Sequence, residues 1–219
     1  MALILCLETA TTNCSVALSK NGVLVALKED NSANYSHAEK LHVFIEELLK
    51  ENSIGVSDLD AIAVSKGPGS YTGLRIGVST AKGLCFSLDL PLIAIPTLTS
   101  LAAQVKLEDG MIVPMLDARR MEVYSVILNA SLGPVRETRA QILDEHSFGE
   151  YLEKAKLVFI GNGVEKFQSI CTHPNAKFIE GKLPSAREMC ELAEIKYKIS
   201  DTEDVAYFEP YYLKDFIAG

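Results

Sequence analysis

One stretch of this chain, residues 61–88, restricts the fold more than any other. It reads AIAVSKGPGSYTGLRIGVSTAKGLCFSL: a buried strand over 61–65, a glycine-rich turn, and a helix that begins near Thr72. Either Thr72 or Ser70 can cap this helix by accepting a backbone N–H. A strand that turns directly into a long helix is typical of α/β proteins, so the stretch predicts a sheet covered by helices.

Inside the predicted helix, small residues recur every four positions, at Gly73, Gly77 and Ala81. These residues share one stripe, because a helix turns about 100° per residue. An interior glycine costs a helix roughly 1 kcal/mol relative to alanine, so another backbone is expected to approach this stripe closely. Two interpretations remain open. The stripe packs on the protein's own sheet, which these residues alone favour, or it meets a partner chain.

The rest of the chain forms two successive halves, each a β-meander followed by α/β units. In the first half the predicted strands are 3–7, 14–19, 23–27, 61–65 and 91–95, with helices over 36–50, 72–88 and 97–105. In the second half the predicted strands are 111–116, 122–128, 135–142, 156–160 and 177–179, with helices over 147–154, 164–171 and 185–199. This duplicated layout resembles the two-lobed actin-like ATPases. We predict lobes over 1–106 and 107–219, with the start of the final helix region packing back on the first lobe.

Charge and cysteine content exclude several classes of function. The 219 residues carry a net charge of −8, which argues against a stand-alone nucleic-acid binder because such affinity rests on Lys and Arg contacts to phosphate. The five cysteines contain no C-x-x-C pair and predict reduced, mostly buried thiols in a cytoplasmic protein. The apolar N-terminus is short and lacks a basic start, and no apolar stretch reaches membrane-spanning length. We therefore expect neither a signal peptide nor a membrane segment.

Two turns are candidates for binding phosphate, and both are weak. The loop from Gly67 to Gly73 lacks the G-x-x-x-x-G-K-[ST] pattern and misses the dinucleotide spacing by one residue, so a structural turn is favoured. The turn from Glu8 to Thr12 has the position of the phosphate hairpin of actin-like ATPases. There Ala10 stands where a glycine would let the backbone approach, which disfavours nucleotide binding.

No catalytic, cofactor or metal-binding residues are predicted. His37 and His42 are five residues apart, about 140° around a helix, and do not converge on a metal from one helix. Arg119 and Arg120 could bind an acidic group after their strand, but a surface turn with a salt bridge is the preferred interpretation.

Several motifs together resemble one bacterial family. The segments ILCLETATTNCSVAL, KGPGSYTGLRIGVSTAKGL, LDARRMEVYSV and FEPYYLKDF are similar to those of the TsaB (YeaZ) family, a branch of the proteins once labelled glycoproteases. The resemblance implies the actin-like fold and a role in making N6-threonylcarbamoyladenosine, next to the anticodon of tRNAs that read codons starting with A. The catalytic relative, TsaD, binds a metal through His-x-x-x-His. Here the corresponding positions are Thr97 and Leu101, which implies a non-catalytic partner without a metal or cofactor.

The resemblance also implies partners. The helices 36–50 and 73–88 are expected to pair with a TsaD-type catalytic subunit, or with a second copy in a homodimer. A TsaE-type ATPase would join the larger complex, and tRNA would be reached through that complex. The expected interface residues are His37, Leu41, Ile45, Gly73, Leu74, Arg75, Gly77, Val78 and Ala81. The alternative is an enzyme, either a glycoprotease-like metallopeptidase or an actin-like phosphotransferase with ATP at the turn from Glu8 to Thr12.

Overall fold

The computed structural model describes residues 2–32 and 37–214. Its first sheet has the strand order β3-β2-β1-β4-β5. These strands are β1 (Leu3–Glu8), β2 (Cys14–Lys20), β3 (Val23–Asp30), β4 (Ala61–Gly67) and β5 (Leu92–Pro96). The first three form an antiparallel meander, and β1, β4 and β5 run parallel.

The second sheet repeats this topology with the order β10-β9-β6-β7-β8. Its strands are β6 (Met111–Asp117), β7 (Glu122–Asn129), β8 (Pro134–Ile142), β9 (Leu157–Ile160) and β10 (Ala176–Ile179). Again a meander of three strands continues into parallel pairs. The predicted α/β class and its duplicated β-meander plus α/β units are therefore confirmed.

Six α-helices connect or cover the strands in the described residues. They are α1 (His37–Glu51), α2 (Tyr71–Leu88), α3 (Thr97–Ala102), α4 (Gly149–Leu152), α5 (Val164–Gln168) and α6 (Ala186–Lys198). Helices α3, α4 and α5 are shorter than predicted. Ser185 caps α6 as expected, accepting the Arg187 N–H at 3.2 Å. The predicted cap of α1, Ser36, lies outside the described residues.

The chain divides into two compact units, and the division differs from the predicted lobes. The first unit is Met1–Ser100 together with the chain from Pro184 onward, and the second is Leu101–Leu183. The predicted boundary after residue 106 is close to the observed one. The second lobe was predicted to extend to residue 219, with only the start of the final helix region packing back on the first lobe. In the structure all of α6 belongs to the first unit. The reason is the apolar face of α6, whose Ala186, Met189 and Ala193 are fully buried on the first sheet.

Helices cover both faces of the first sheet. Helices α1 and α2 pack with Leu5, Leu7 and Ile62 on one face, and α6 packs with Ile4 and Cys6 on the other. This double burial explains the continuous apolar run of β1, which a sheet with one wet face would not need. The second unit has its own core, in which Phe148, Phe159, Phe167 and Phe178 form edge-to-face and stacked pairs.

The cysteines agree with the prediction. All five are free, and Cys6, Cys14, Cys85 and Cys190 are buried while Cys171 is partly exposed. Among the described residues, no helix is long and apolar enough to cross a membrane.

Candidate functional site

The small-residue stripe of α2 lies against the protein's own β1–β2 turn. A Cβ atom on Gly73 would collide with the backbone oxygen of Thr9, and one on Gly77 would collide with the Thr9 hydroxyl. That hydroxyl donates to the Gly73 carbonyl at 2.8 Å, so the helix and the turn are bonded as well as packed. Ala81 is fully buried in the same core. The stripe is therefore an internal packing surface rather than a contact with a partner chain.

The glycine loop before α2 also closes on this turn. The Ser70 N–H donates to the Ala10 carbonyl at 2.7 Å, and Gly69 lies too close to Ala10 to carry a Cβ. The Gly67 N–H donates to the Thr97 hydroxyl at 3.0 Å. Ser70 is the N-cap of α2 and accepts the Gly73 N–H at 3.3 Å. Because these donors are already bonded, the loop has the properties of a structural turn.

In the turn from Glu8 to Thr12, residues 8–11 are buried and several of their polar groups are hydrogen-bonded within the protein. The Glu8 carboxyl accepts the Ala10 N–H at 2.6 Å and the Ser65 hydroxyl at 2.8 Å. Burial raises the pKa of this carboxyl to about 7, although both hydrogen bonds act in the opposite direction. His37 Nε2 lies 2.7 Å from the Thr11 carbonyl, and burial lowers the pKa of this imidazole. A phosphate at this turn would have to displace these bonds.

Most of the predicted interface side chains lie inside the first unit. Leu41, Leu74 and Val78 are at most 3% exposed, and Ile45 is 7% exposed. They are buried because they form the inward face of the amphipathic helices α1 and α2, which covers the sheet. His37, Gly73, Gly77 and Ala81 are buried as well. Of the predicted residues, Arg75 alone is exposed.

The outward face of α2 carries an exposed aromatic side chain that is not among the predicted interface residues. Phe86 is 86% exposed and shares this face with Arg75, Ser79 and Lys82 at helical spacing. On the adjoining helix α1, Val43 is 47% exposed. The sequence could have revealed this residue, because a large aromatic side chain interrupts the otherwise polar face of the helix. We define the α2 outer face as Arg75, Ser79, Lys82 and Phe86.

The C-terminal tail runs along α2. Lys82 Nζ donates to the carbonyls of Ala206 and Phe208, at 3.2 and 2.8 Å. Further along, the Tyr212 ring packs on Tyr71 with centroids 4.8 Å apart, and the Arg75 guanidinium lies over Tyr71. The tail is thus held beside the α2 outer face and borders it.

The two positions that correspond to the metal-binding histidines of the catalytic relative hold no imidazole. Thr97 and Leu101 are both fully buried, and the Thr97 hydroxyl is bonded to Gly67. Across the described ranges, no group of three or more His, Cys, Asp or Glu side chains comes together to hold a metal ion. Arg119 and Arg120 form a left-handed surface turn between β6 and β7, beside the ion pair of Asp117 and Lys166 at 2.8 Å.

Comparison with known proteins identifies the family. A family model described as TsaD, tRNA N6-adenosine threonylcarbamoyltransferase, matches residues 30–218. The tRNA threonylcarbamoyladenosine biosynthesis protein TsaB of Haemophilus influenzae is 32% identical, over 97% of this chain and 93% of that protein. This chain belongs to the TsaB family. The threonylcarbamoyltransferase of Bacillus thuringiensis is 36% identical, but over only 42% of this chain and 32% of that enzyme.

Solved structures agree with the assignment to the TsaB family. YeaZ from Pseudomonas aeruginosa is 26% identical and superposes with a TM-score of 0.82, over 97% of this chain and all of that one. An activator of 2-hydroxyisocaproyl-CoA dehydratase from Clostridium difficile, solved with bound ADPNP, is 11% identical with a TM-score of 0.50, over 91% of this chain and 96% of that one. The second likeness concerns the fold alone, and it confirms the predicted actin-like architecture.

Proposed function

We propose that this TsaB-family chain is a non-catalytic subunit for the biosynthesis of N6-threonylcarbamoyladenosine in tRNA. It dimerises with a TsaD-type threonylcarbamoyltransferase and activates it. The main support for a docking surface is the exposure of Phe86, which is 86% exposed on the α2 outer face. Exposing a phenylalanine to water costs roughly 1.5–3 kcal/mol relative to burying it, and aromatic anchors of this kind dominate protein interfaces.

Two features of the chain support a non-catalytic role. Thr97 and Leu101 occupy the positions where the resemblance places the metal-binding histidines of the catalytic relative, and neither side chain ligates as an imidazole does. An actin-like phosphotransferase would hold phosphate at the turn from Glu8 to Thr12. Here the Thr9 hydroxyl and the Ala10 N–H already donate hydrogen bonds within the protein. A stoichiometric zinc or iron ion, or tight binding of ATP by the isolated chain, would contradict this part of the proposal.

The larger assembly includes a TsaE-type ATPase, and the same α2 outer face pairs two copies of this chain when the catalytic subunit is absent. Transfer RNA is bound through the complex, because a chain with a net charge of −8 is a poor electrostatic match for phosphate. The basic surface for tRNA then comes from the partner subunits.

The docking surface is tested with Phe86→Glu. This variant places a charge in the proposed contact and leaves the core intact, since Phe86 is exposed. We expect it to weaken the complex with the organism's own TsaD-type subunit ~100-fold, the loss of a hot-spot aromatic. Leu74→Glu is unsuitable, because Leu74 is 1% exposed and the variant would unfold the chain. Affinity is measured by calorimetry on the purified pair.

The matched control is Ile195→Glu. Ile195 is an exposed apolar residue on α6, 53% exposed, and it lies outside the α2 outer face. Its glutamate variant should bind the catalytic subunit with unchanged affinity. Equal affinities for the Phe86→Glu variant and the unmodified chain, with both folded, would rule out the α2 outer face as the docking surface.

A further inference from the structure

An open cavity of about 360 Å³ lies beside β8, the edge strand of the second sheet. The strand supplies Arg136, Arg139, Gln141 and Ile142 to its lining, and the following segment 144–151 supplies the rest. In the β7–β8 register Arg136, Arg139 and Gln141 pair with Ile127, Ser125 and Val123. Cross-strand partners share a face, so the two arginines lie on the side of the sheet that carries the aromatic core.

The guanidinium of Arg136 is fixed in place by neutral groups. Its Nη1 donates to Gln141 Oε1 at 3.0 Å, and its Nη2 donates to the Ser125 hydroxyl at 2.7 Å. Its Cζ lies 4.8 Å from the centroid of the Phe148 ring. Within the described ranges, no carboxylate forms an ion pair with Arg136, and its Nε is buried without a hydrogen-bond partner. A half-buried cation held this way lacks the ion-pair partner that usually accompanies a buried charge.

A second positive charge converges on the same point. Arg139 Nη2 lies 3.5 Å from the Gln141 oxygen that already accepts from Arg136. Burial, and to a smaller extent the charge of Arg139, lowers the pKa of Arg136 to about 10. Two acidic residues also line the cavity. Asp144 is engaged by its own turn, through the Ser147 hydroxyl and the His146 N–H. Tyr151 and, to a smaller extent, Glu150 act to raise the pKa of Arg136, but burial and Arg139 outweigh them.

We propose that this cavity binds the phosphate group of a small phosphorylated ligand, with Arg136 and Arg139 as its anion-binding pair. Guanidinium groups match phosphate oxygens in a bidentate geometry, and a dianionic phosphomonoester neutralises both charges at once. The volume is near the lower end of small-molecule sites, roughly 300–1,000 Å³, which suits a compact ligand. The site belongs to the second unit and does not depend on the proposed docking of the first.

The experiment uses inorganic phosphate, pyrophosphate and AMP as probes, at constant ionic strength in chloride. Calorimetry on the full chain should give saturable one-to-one binding, with dissociation constants of ~1 mM or below. Arg139→Gln, at an exposed residue, should weaken binding at least ~10-fold, whereas Glu150→Gln should strengthen it several-fold by removing a competing carboxylate. Arg187→Gln is the matched control, because it removes an equal exposed charge on α6 and should change nothing.

Arg136→Lys separates charge from geometry. The variant keeps the positive charge but loses the planar fork, so we expect weaker phosphate binding at unchanged far-ultraviolet circular dichroism. Absence of saturable binding to all three probes at ~10 mM would overturn the proposal, as would equal affinities of the Arg139→Gln and Arg187→Gln variants. A short RNA without a terminal phosphate that bound while the three probes did not would also overturn it, in favour of phosphodiester recognition.

Discussion

Gly73→Ala is expected to destabilise the chain by ~3 kcal/mol, although alanine is the better helix former. The added Cβ would collide with the backbone oxygen of Thr9. A backbone oxygen in a buried turn cannot rotate away, so α2 would have to shift off the β1–β2 turn. That shift would also stretch the hydrogen bond from the Thr9 hydroxyl to the Gly73 carbonyl. The free energy of unfolding is measured by urea titration.

The same helix offers a matched control in Gly83. A Cβ on this glycine would meet nothing within 4 Å, so the substitution adds no clash. Gly83→Ala is therefore expected to stabilise the chain by up to ~1 kcal/mol, the helix-propensity difference between the two residues. If Gly73→Ala lowers the free energy of unfolding and Gly83→Ala raises it, the stripe is an internal contact. Two stabilising results would mean that Thr9 does not touch α2 in solution.

Glu8→Gln is expected to remove a strong pH dependence of stability. Burial raises the pKa of the Glu8 carboxyl from 4.5 to about 7 in the folded chain. Between these two values the folded state binds more protons than the unfolded state, so stability falls as the pH rises. Above pH ~7 the buried carboxyl is charged, and the full free-energy cost of burying that charge lowers the stability. The difference in pKa corresponds to ~3 kcal/mol.

The glutamine variant lacks this titration. Its side-chain amide oxygen can keep the acceptor role toward Ala10 and Ser65, while the amide nitrogen replaces Glu8 Oε2, which has no hydrogen-bond partner among the described residues. Urea titrations at a series of pH values should show the unmodified chain losing ~3 kcal/mol more than the variant between about pH 4 and pH 8. Parallel profiles would mean that Glu8 stays charged in the fold. Titrating groups common to both chains cancel in this comparison.

Much of the fold could be predicted because local patterns agreed with the tertiary structure. The strand predicted over 3–7 has the continuous apolar run of a strand covered on both faces, and the helix predicted over 36–50 has the apolar spacing of a helix with one buried side. The repeat of a meander followed by α/β units anticipated two sheets of one topology. At the C-terminus the prediction assigned only the start of the final helix region to the first lobe, because the apolar face of α6 does not specify which of two sheets it will cover.

The candidate interface was harder to predict from sequence. The family resemblance implied that Leu41, Leu74 and Val78 lie at the interface, but an apolar side of a helix packs equally well on a core or on a partner. Only the structure decides between them, since it places these side chains at most 3% exposed. The helical spacing of α2 places Phe86 on the α2 outer face rather than on the side of Leu74 and Val78, so its exposure could be predicted from the sequence.

The sequence by itself determined the α/β class, the duplication, the family and the need for a close approach at Gly73 and Gly77. These follow from periodicity, from glycine spacing and from motifs, which are local in the chain. Tertiary structure alone decided that Thr9 makes that approach, that the C-terminal tail lies along α2, and that Arg136 and Arg139 meet at Gln141. Contacts of this kind join residues distant in sequence or depend on strand register, and no local pattern encodes them.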